Sequence, residues 1–168
     1  MERRPLLIVS RCFGPDRCRW DGEPLPCPHL DDILSTAAVR FVCPEMAIGL
    51  GVPRDPIRLV RDNAHCRMVQ TATGRDLTAA MERFCGDLLS ALDPGHVDGF
   101  ILKSRSPSCA LFDAKIYADD GQTPVDRGPG LFGAAVLRRF PGHPAADEVA
   151  LADPEKRRDF LARIVKTK

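Results

Sequence analysis

No apolar stretch in this 168-residue chain comes near the roughly 18 residues that a membrane span needs. Leu6–Val9 is also too short for the core of a signal peptide. Charge of one sign is missing too: 24 Lys and Arg against 23 Asp and Glu leave a formal net charge of +1. That balance argues against an extended electropositive surface. There is no internal repeat and no long low-complexity segment. With 44% apolar and 28% charged residues, composition argues against disorder for most of the chain. These absences leave a soluble, cytoplasmic protein as the expectation, folded as a single domain over residues 1–168 with a substantial core. Seven cysteines is an odd count without a secretory signal, so a full disulfide framework reads poorly. Reduced thiols, some of them ligands, fit better.

What the chain does have is a series of apolar runs broken by loop-forming residues. Leu6–Ser10 is continuous and ends in Arg11-Cys12-Phe13-Gly14-Pro15, the pattern of a buried strand entering a loop. Residues 14–28, rich in Pro, Gly, Cys and Arg, read as an ordered loop. Leu30–Ala38 predicts a short helix with Asp31 or Asp32 in its first turn. Val39–Cys43 predicts a second strand, stopped by Pro44, which lacks the ladder donor. Ile57–Val60 and Arg67–Gln70 are weaker strands, a hairpin or an extension. Leu77, Met81, Phe84, Leu88 and Leu92 then hold one face at helical spacing, with Asp76 or Thr78 as N-cap and Pro94-Gly95 as terminator. Gly99–Leu102 is the third strong strand, and Lys115–Ala118 a further short one. Gly128-Pro129-Gly130 leads into a helix with Leu131, Ala135 and Val136 on its apolar side. Asp153-Pro154-Glu155 opens a last helix that buries Phe160, Leu161, Ile164 and Val165. This alternation predicts an α/β fold: a three-layer, Rossmann-like, mostly parallel sheet flanked by helices.

Three cysteines stand at the ends of three of those runs: Cys12, Cys43 and Cys109. If the runs are parallel strands of one sheet, their ends converge on one edge, where open α/β folds place their sites. Three thiolates there would hold a soft metal or an iron–sulfur cluster. Equally, free cysteine packs as a small hydrophobe, and the three would then be plain core residues. Glu45, two positions past Cys43, is either a general acid–base or a solvent-facing loop residue. Ser106 and Ser108 bracket Pro107 and either hold a substrate heteroatom or cap the next segment. Lys103 and Arg54 bind an anion or sit solvated on the surface. The only Trp, Trp20, stacks on a planar ligand or lies at a rim or in the core. Cys27, Cys66 and Cys85 carry no such context.

Seven motifs occur together in one order: Ser10-x-Cys12, Cys18-Arg19-Trp20-Asp21-Gly22, Cys43-Pro44-Glu45, Val52-Pro53-Arg54-x-Pro56, Gly74-x-Asp76-x-Thr78, Leu102-Lys103 with Ser106-Pro107-Ser108-Cys109, and Gly128-x-Gly130. On these motifs the chain resembles the DUF523 family, whose characterised members are thiouracil desulfurases. The resemblance implies a [4Fe–4S] cluster held by Cys12, Cys43 and Cys109, with the fourth iron open to the substrate's sulfur. It further implies that Glu45 and Ser106 are catalytic, while Ser108, Lys103, Trp20 and Arg54 are assigned to substrate binding. The expected reaction converts thiouracil to uracil without net redox change, the cluster lying at the C-terminal edge of the strands. A small thiolated pyrimidine suits the near-neutral charge better than thiolated tRNA. Many relatives read Ser-x-Cys-Leu-x-Gly at the first motif and Gly after the last cysteine, where this chain has Phe13-Gly14-Pro15 and Ala110. From a different class, Cys12, Cys18, Cys43 and Cys109 would close around structural zinc in a non-catalytic module, with Cys18 the discriminating residue.

Overall fold

The computed structural model describes residues 3–120 and 122–166, so both ends of the expected domain lie outside the described residues. In chain order the first half runs β1 (Leu6–Ser10), α1 (Pro28–Thr36), β2 (Ala38–Val42), α2 (Pro44–Ala47), β3 (Ile57–Asp62), β4 (His65–Gln70) and α3 (Thr78–Ser90). The second half runs β5 (Gly99–Ile101), β6 (Ala114–Tyr117), β7 (Pro124–Gly128), α4 (Leu131–Arg139), β8 (Ala145–Ala146), α5 (Glu148–Ala152) and α6 (Pro154–Lys166). The fold is α/β, and its main sheet is wholly parallel in the order β2-β1-β5-β8. A second sheet, in the order β4-β3-β6-β7, mixes a parallel pair with two antiparallel ones.

The central strands β1 and β5 of the main sheet are buried on both faces, which is why they read as continuous apolar runs, whereas Ala38, Arg40 and Phe41 of β2 are exposed. Strand side chains alternate, so Leu7, Val9 and Ile101 face α1, α5 and α6 through Leu30, Ile33, Leu151, Phe160 and Ile164. Ile8, Phe100 and Leu102 join the opposite cluster, which contains Met81, Cys85 and Leu89 of α3 and Phe132 and Val136 of α4. Leu59, Met68 and Ile116 of the second sheet belong to that same cluster. Ile57–Val60 and Arg67–Gln70 are therefore the hairpin of the two alternatives, within a sheet separate from the main one.

Several boundaries differ from the sequence expectation for local reasons. The helix expected at Leu30–Ala38 starts at Pro28, since proline fits the first turn of a helix. The second strand ends at Val42, which leaves Cys43 outside the ladder and makes Pro44 the opening residue of α2. Neither proposed cap closes α3: the cap position is Leu77, Asp76 Oδ1 accepts the Thr78 amide at 2.9 Å, and the Thr78 hydroxyl accepts the Met68 amide. On α4 the fully buried side is Phe132, Gly133 and Val136, while Leu131 and Ala135 are half-buried beside it. In α6, Phe160 and Ile164 are buried, Leu161 is half-buried and Val165 is 55% exposed, because the helix turns only a narrow stripe to the sheet.

Candidate active site

The register brings the three thiol-bearing segments together. Ser10 pairs with Val42 and Val9 with Ile101, so β1, β2 and β5 end within a residue or two of one edge. Past that edge, Cys12 lies in a single turn at Arg11–Phe13, Cys43 precedes α2, and the chain after β5 loops from Lys103 to Cys109. All three cysteines line one cavity of about 310 Å³, together with Cys18, Trp20, Glu45, Arg54, Lys103 and Ser106. Cys27, Cys66 and Cys85 do not line it.

The Ser106–Cys109 loop is fixed by the start of α4. The amides of Leu131, Phe132 and Gly133 donate to the carbonyls of Pro107 and Ser108 at 2.9–3.1 Å, and the Gly130 amide donates to Ala110. A Cβ on Gly130 would fall 2.4 Å from the Ser108 carbonyl oxygen, and one on Gly133 would fall 2.0 Å from that of Ala110. Only glycine allows this approach, which gives Gly130 of the Gly128-x-Gly130 motif and Gly133, which lies outside every motif, a direct link to the placement of Cys109.

Burial dominates the thiol chemistry. It pushes the Cys12 pKa up to about 12, with the neighbouring Cys43 adding to the rise and Lys103 opposing it. Cys109 is also raised by burial, partly offset by a hydrogen bond with Ser10. Cys43 behaves oppositely: a hydrogen bond from the Cys18 thiol brings it down to about 7, and the same contact raises Cys18. Cys43 is thus the thiol nearest to ionisation at neutral pH. The remaining thiols ionise once a cation takes their protons' place.

Glu45 is almost entirely committed to protein partners. One carboxylate oxygen accepts from Arg54 Nε at 2.8 Å and Nη2 at 2.6 Å, and the other accepts the Ser108 hydroxyl at 2.8 Å. The Arg54 side chain is only 4% exposed and also donates to the carbonyls of Gly51 and Cys18. The structure therefore places Arg54 on an internal carboxylate and on the Cys18 loop. Ser106 Oγ accepts the amides of Ser108 and Cys109 at 3.2 and 3.0 Å, the capping use, while still lining the cavity. Ser108 is fully buried. Trp20 is 48% exposed at the cavity wall.

Lys103 reaches Glu148, which no motif singled out. Its Nζ lies 2.5 Å from Glu148 Oε1, and the Ser104 hydroxyl and amide fill the rest of that carboxylate at 2.6 and 2.9 Å. The sequence signal for Glu148 was its place after Asp147, which caps α5 by accepting the Ala150 amide at 2.7 Å. The two-residue strand before it has no periodicity to read. Its partner could be found only from sheet register.

Among the described residues, no three His, Cys, Asp or Glu side chains are gathered tightly enough to ligate a single metal ion. Tetrahedral zinc needs four ligands around one point, so the four cavity thiols do not form a closed zinc site as they stand. An iron–sulfur cluster makes a looser demand, since each thiolate binds a different iron. Three soft donors around one cavity, flanked by Lys103 and Arg54, fit that group. No helix of the described residues is long and apolar enough to cross a membrane.

A family model for 2-thiouracil desulfurase matches residues 7–148. The uncharacterized protein YbbK of Bacillus subtilis (strain 168) is 26% identical over 110 residues, 62% of this chain and 72% of that protein. Among solved structures, the [4Fe-4S]-dependent thiouracil desulfidase TudS is 27% identical with a TM-score of 0.72, covering 94% of this chain and 99% of its own.

Proposed function

The chain belongs to the 2-thiouracil desulfurase family, and on that premise we propose that it hydrolyses the C=S group of a thiolated pyrimidine, using a [4Fe–4S] cluster held by Cys12, Cys43 and Cys109. The observation that carries this reading is the cavity: the three thiols that the resemblance names, together with Glu45 and Ser106, line the same enclosure at the ends of β1, β2 and β5. When bound, the cluster would supply a Lewis-acidic iron for the soft thiocarbonyl sulfur.

The protein's own residues carry the proton chemistry. Water adds to the thiocarbonyl carbon, a C–O bond forms, the C–S bond breaks, and sulfur leaves as hydrosulfide, with no oxidation or reduction. Glu45 takes a proton from that water and returns it as the C–S bond breaks. Arg54 and Ser108 hold the carboxylate in place for this, which makes them positioning residues. Ser106 accepts two amides with its lone pairs, so its own O–H is the group it offers to the substrate. Trp20 supplies an aromatic face for the pyrimidine at the cavity wall. Cys18 stays unligated beside Cys43, whose Sγ lies 4.0 Å from the Cys18 carbonyl oxygen. The enclosed volume suits a small base, and the whole chain acts as one desulfurase domain.

The test is anaerobic reconstitution with iron and sulfide, followed by incubation with thiouracil. Uracil and hydrosulfide should form in equal amounts, in proportion to bound iron. A fully loaded protein that released neither from thiouracil nor from its nucleoside would overturn the proposal.

A further inference from the structure

We propose that Glu148 is a positioning residue for the reaction, holding the Lys103 ammonium at the cavity wall where it stabilises negative charge developing on the thiopyrimidine. The inference rests on the desulfurase reading and adds to it a residue outside every motif.

Sheet register creates the contact. In the β5–β8 pairing, Phe100 lies beside Ala145 and Ile101 beside Ala146, and the Leu102 amide donates to Ala146 at 2.9 Å. Two residues past the pair of Ile101 and Ala146, at the ends of the two strands, stand Lys103 and Glu148. The Asp147 cap makes Glu148 the first residue of α5, and His29 Nε2 lies 2.8 Å from the Glu148 carbonyl oxygen. At the other end the Lys103 amide donates to the buried Ser10 hydroxyl at 3.0 Å. The lysine stem is thus fixed at its root by Ser10 and at its tip by Glu148 and Ser104.

Lys103 and Ser104 line the cavity, whereas Glu148 does not and is only 12% exposed behind them. Glu148 therefore acts through Lys103. Of the four other cations on the cavity wall, Arg54 is tied to Glu45, Arg11 to Asp16 and Arg19 to Asp21, while Arg105 follows Ser104 in the same loop. With the carboxylate set behind it, the ammonium is the nearer charge to anything in the cavity, and nearness decides the sign of the field there. As water adds to the C=S carbon, electrons move toward sulfur and the ring, and a fixed cation stabilises that state without reorganising.

The test is a double-mutant cycle over Lys103→Met and Glu148→Gln, with thiouracil turnover normalised to iron. A parallel measurement, on cluster-free protein, follows acylation of Lys103 by acetic anhydride using mass spectrometry. Lys103→Met should lower kcat by about 10²-fold with KM nearly unchanged, as expected for an interaction made in the transition state. Glu148→Gln should lower kcat by about tenfold alone and have no further effect on Lys103→Met. Glu148→Asp, which keeps the charge on a shorter stem, should recover part of the loss. In cluster-free Glu148→Gln, released from its ion pair, Lys103 should acylate several-fold faster than in wild type.

Equal losses from Glu148→Gln with and without Lys103 would overturn the proposal, making Glu148 only an anchor for the Ser104 loop. A rise in KM alone would also overturn it, as would unchanged acylation. If wild type failed to turn over thiouracil, the catalytic role would fall together with the desulfurase reading. The acylation result would then show separately whether the ion pair itself exists.

Discussion

Replacing Arg54 by Met should destabilise the protein far more than removing a typical surface cation, and most of that loss should return when Glu45 is neutralised. The Arg54 and Glu45 side chains are 4% and 13% exposed, so solvent screens their 2.6 Å contact little. Deleting one partner leaves a carboxylate under protein without its cation, a change that costs about 3–5 kcal/mol when a buried pair is broken. It also removes donors from the carbonyls of Gly51 and Cys18. For a domain of this size, each kcal/mol lowers Tm by about 2–4 °C, so a fall of roughly 6–20 °C is expected. The assay is denaturant unfolding of cluster-free protein under reducing conditions, which keeps metal binding out of the comparison. In the double variant Arg54→Met, Glu45→Gln, the uncompensated charge is gone and about half or more of the loss should be recovered. Activity should recover in neither. An Arg54→Met protein within about 1 kcal/mol of wild type, or a double variant no more stable than the single, would refute the ion-pair argument and return Arg54 to the substrate.

The cysteines should separate into two groups by iron content after anaerobic reconstitution. Cys12→Ser, Cys43→Ser and Cys109→Ser lose iron, whereas Cys18→Ser and the variants at Cys27, Cys66 and Cys85 keep it. Alkylation of cluster-free protein with iodoacetamide should modify Cys43 with a midpoint near pH 7 and leave Cys12 protonated until about pH 12. In stability terms, the lowered Cys43 contributes above its ordinary thiol pKa and loses that contribution as pH falls toward 7. The raised Cys12 contributes below its ordinary pKa and loses it as pH climbs toward 12, so the two slopes have opposite signs on either side of pH 9. Gly133→Ala puts a Cβ 2.0 Å from the Ala110 carbonyl oxygen, which must push α4 and the Cys109 loop apart. Overpacking of this kind costs about 1–3 kcal/mol or more, and reduced iron retention should accompany it.

The parallel sheet was legible because buried strands need apolar residues on both faces, and Leu6–Ser10 and Gly99–Leu102 show such runs. Pro124–Gly128, exposed and carrying Asp126 and Arg127, has no such signature, and Ala145–Ala146 is too short for one. The second sheet has no signature as a sheet in the sequence, because the pairing of β3 with β6 joins residues 57 positions apart, Leu59 with Ile116. At the site, Cys12 and Cys43 are readable because each closely follows an apolar run, whereas Cys109 stands at the far end of the polar Lys103–Ser108 loop and is readable only through its Ser106-Pro107-Ser108-Cys109 motif. The partners of Arg54 and Lys103 were not, because an internal carboxylate and a substrate anion look alike from sequence. The partners of Ser106 and Ser108 are set by loop geometry that the sequence does not show: the buried Ser108 reaches Glu45, and Ser106 caps the turn.

The most direct measurement is anaerobic thiouracil turnover per bound cluster in wild type and in Glu45→Gln. The account predicts about four irons per chain in both, as a [4Fe–4S] site requires. It predicts turnover lower in Glu45→Gln by about 10²–10⁴-fold, the usual worth of a general acid–base. Equal turnover per cluster in the two proteins would contradict it, because the carboxylate that shares the cavity with the three thiols would then have no part in the chemistry.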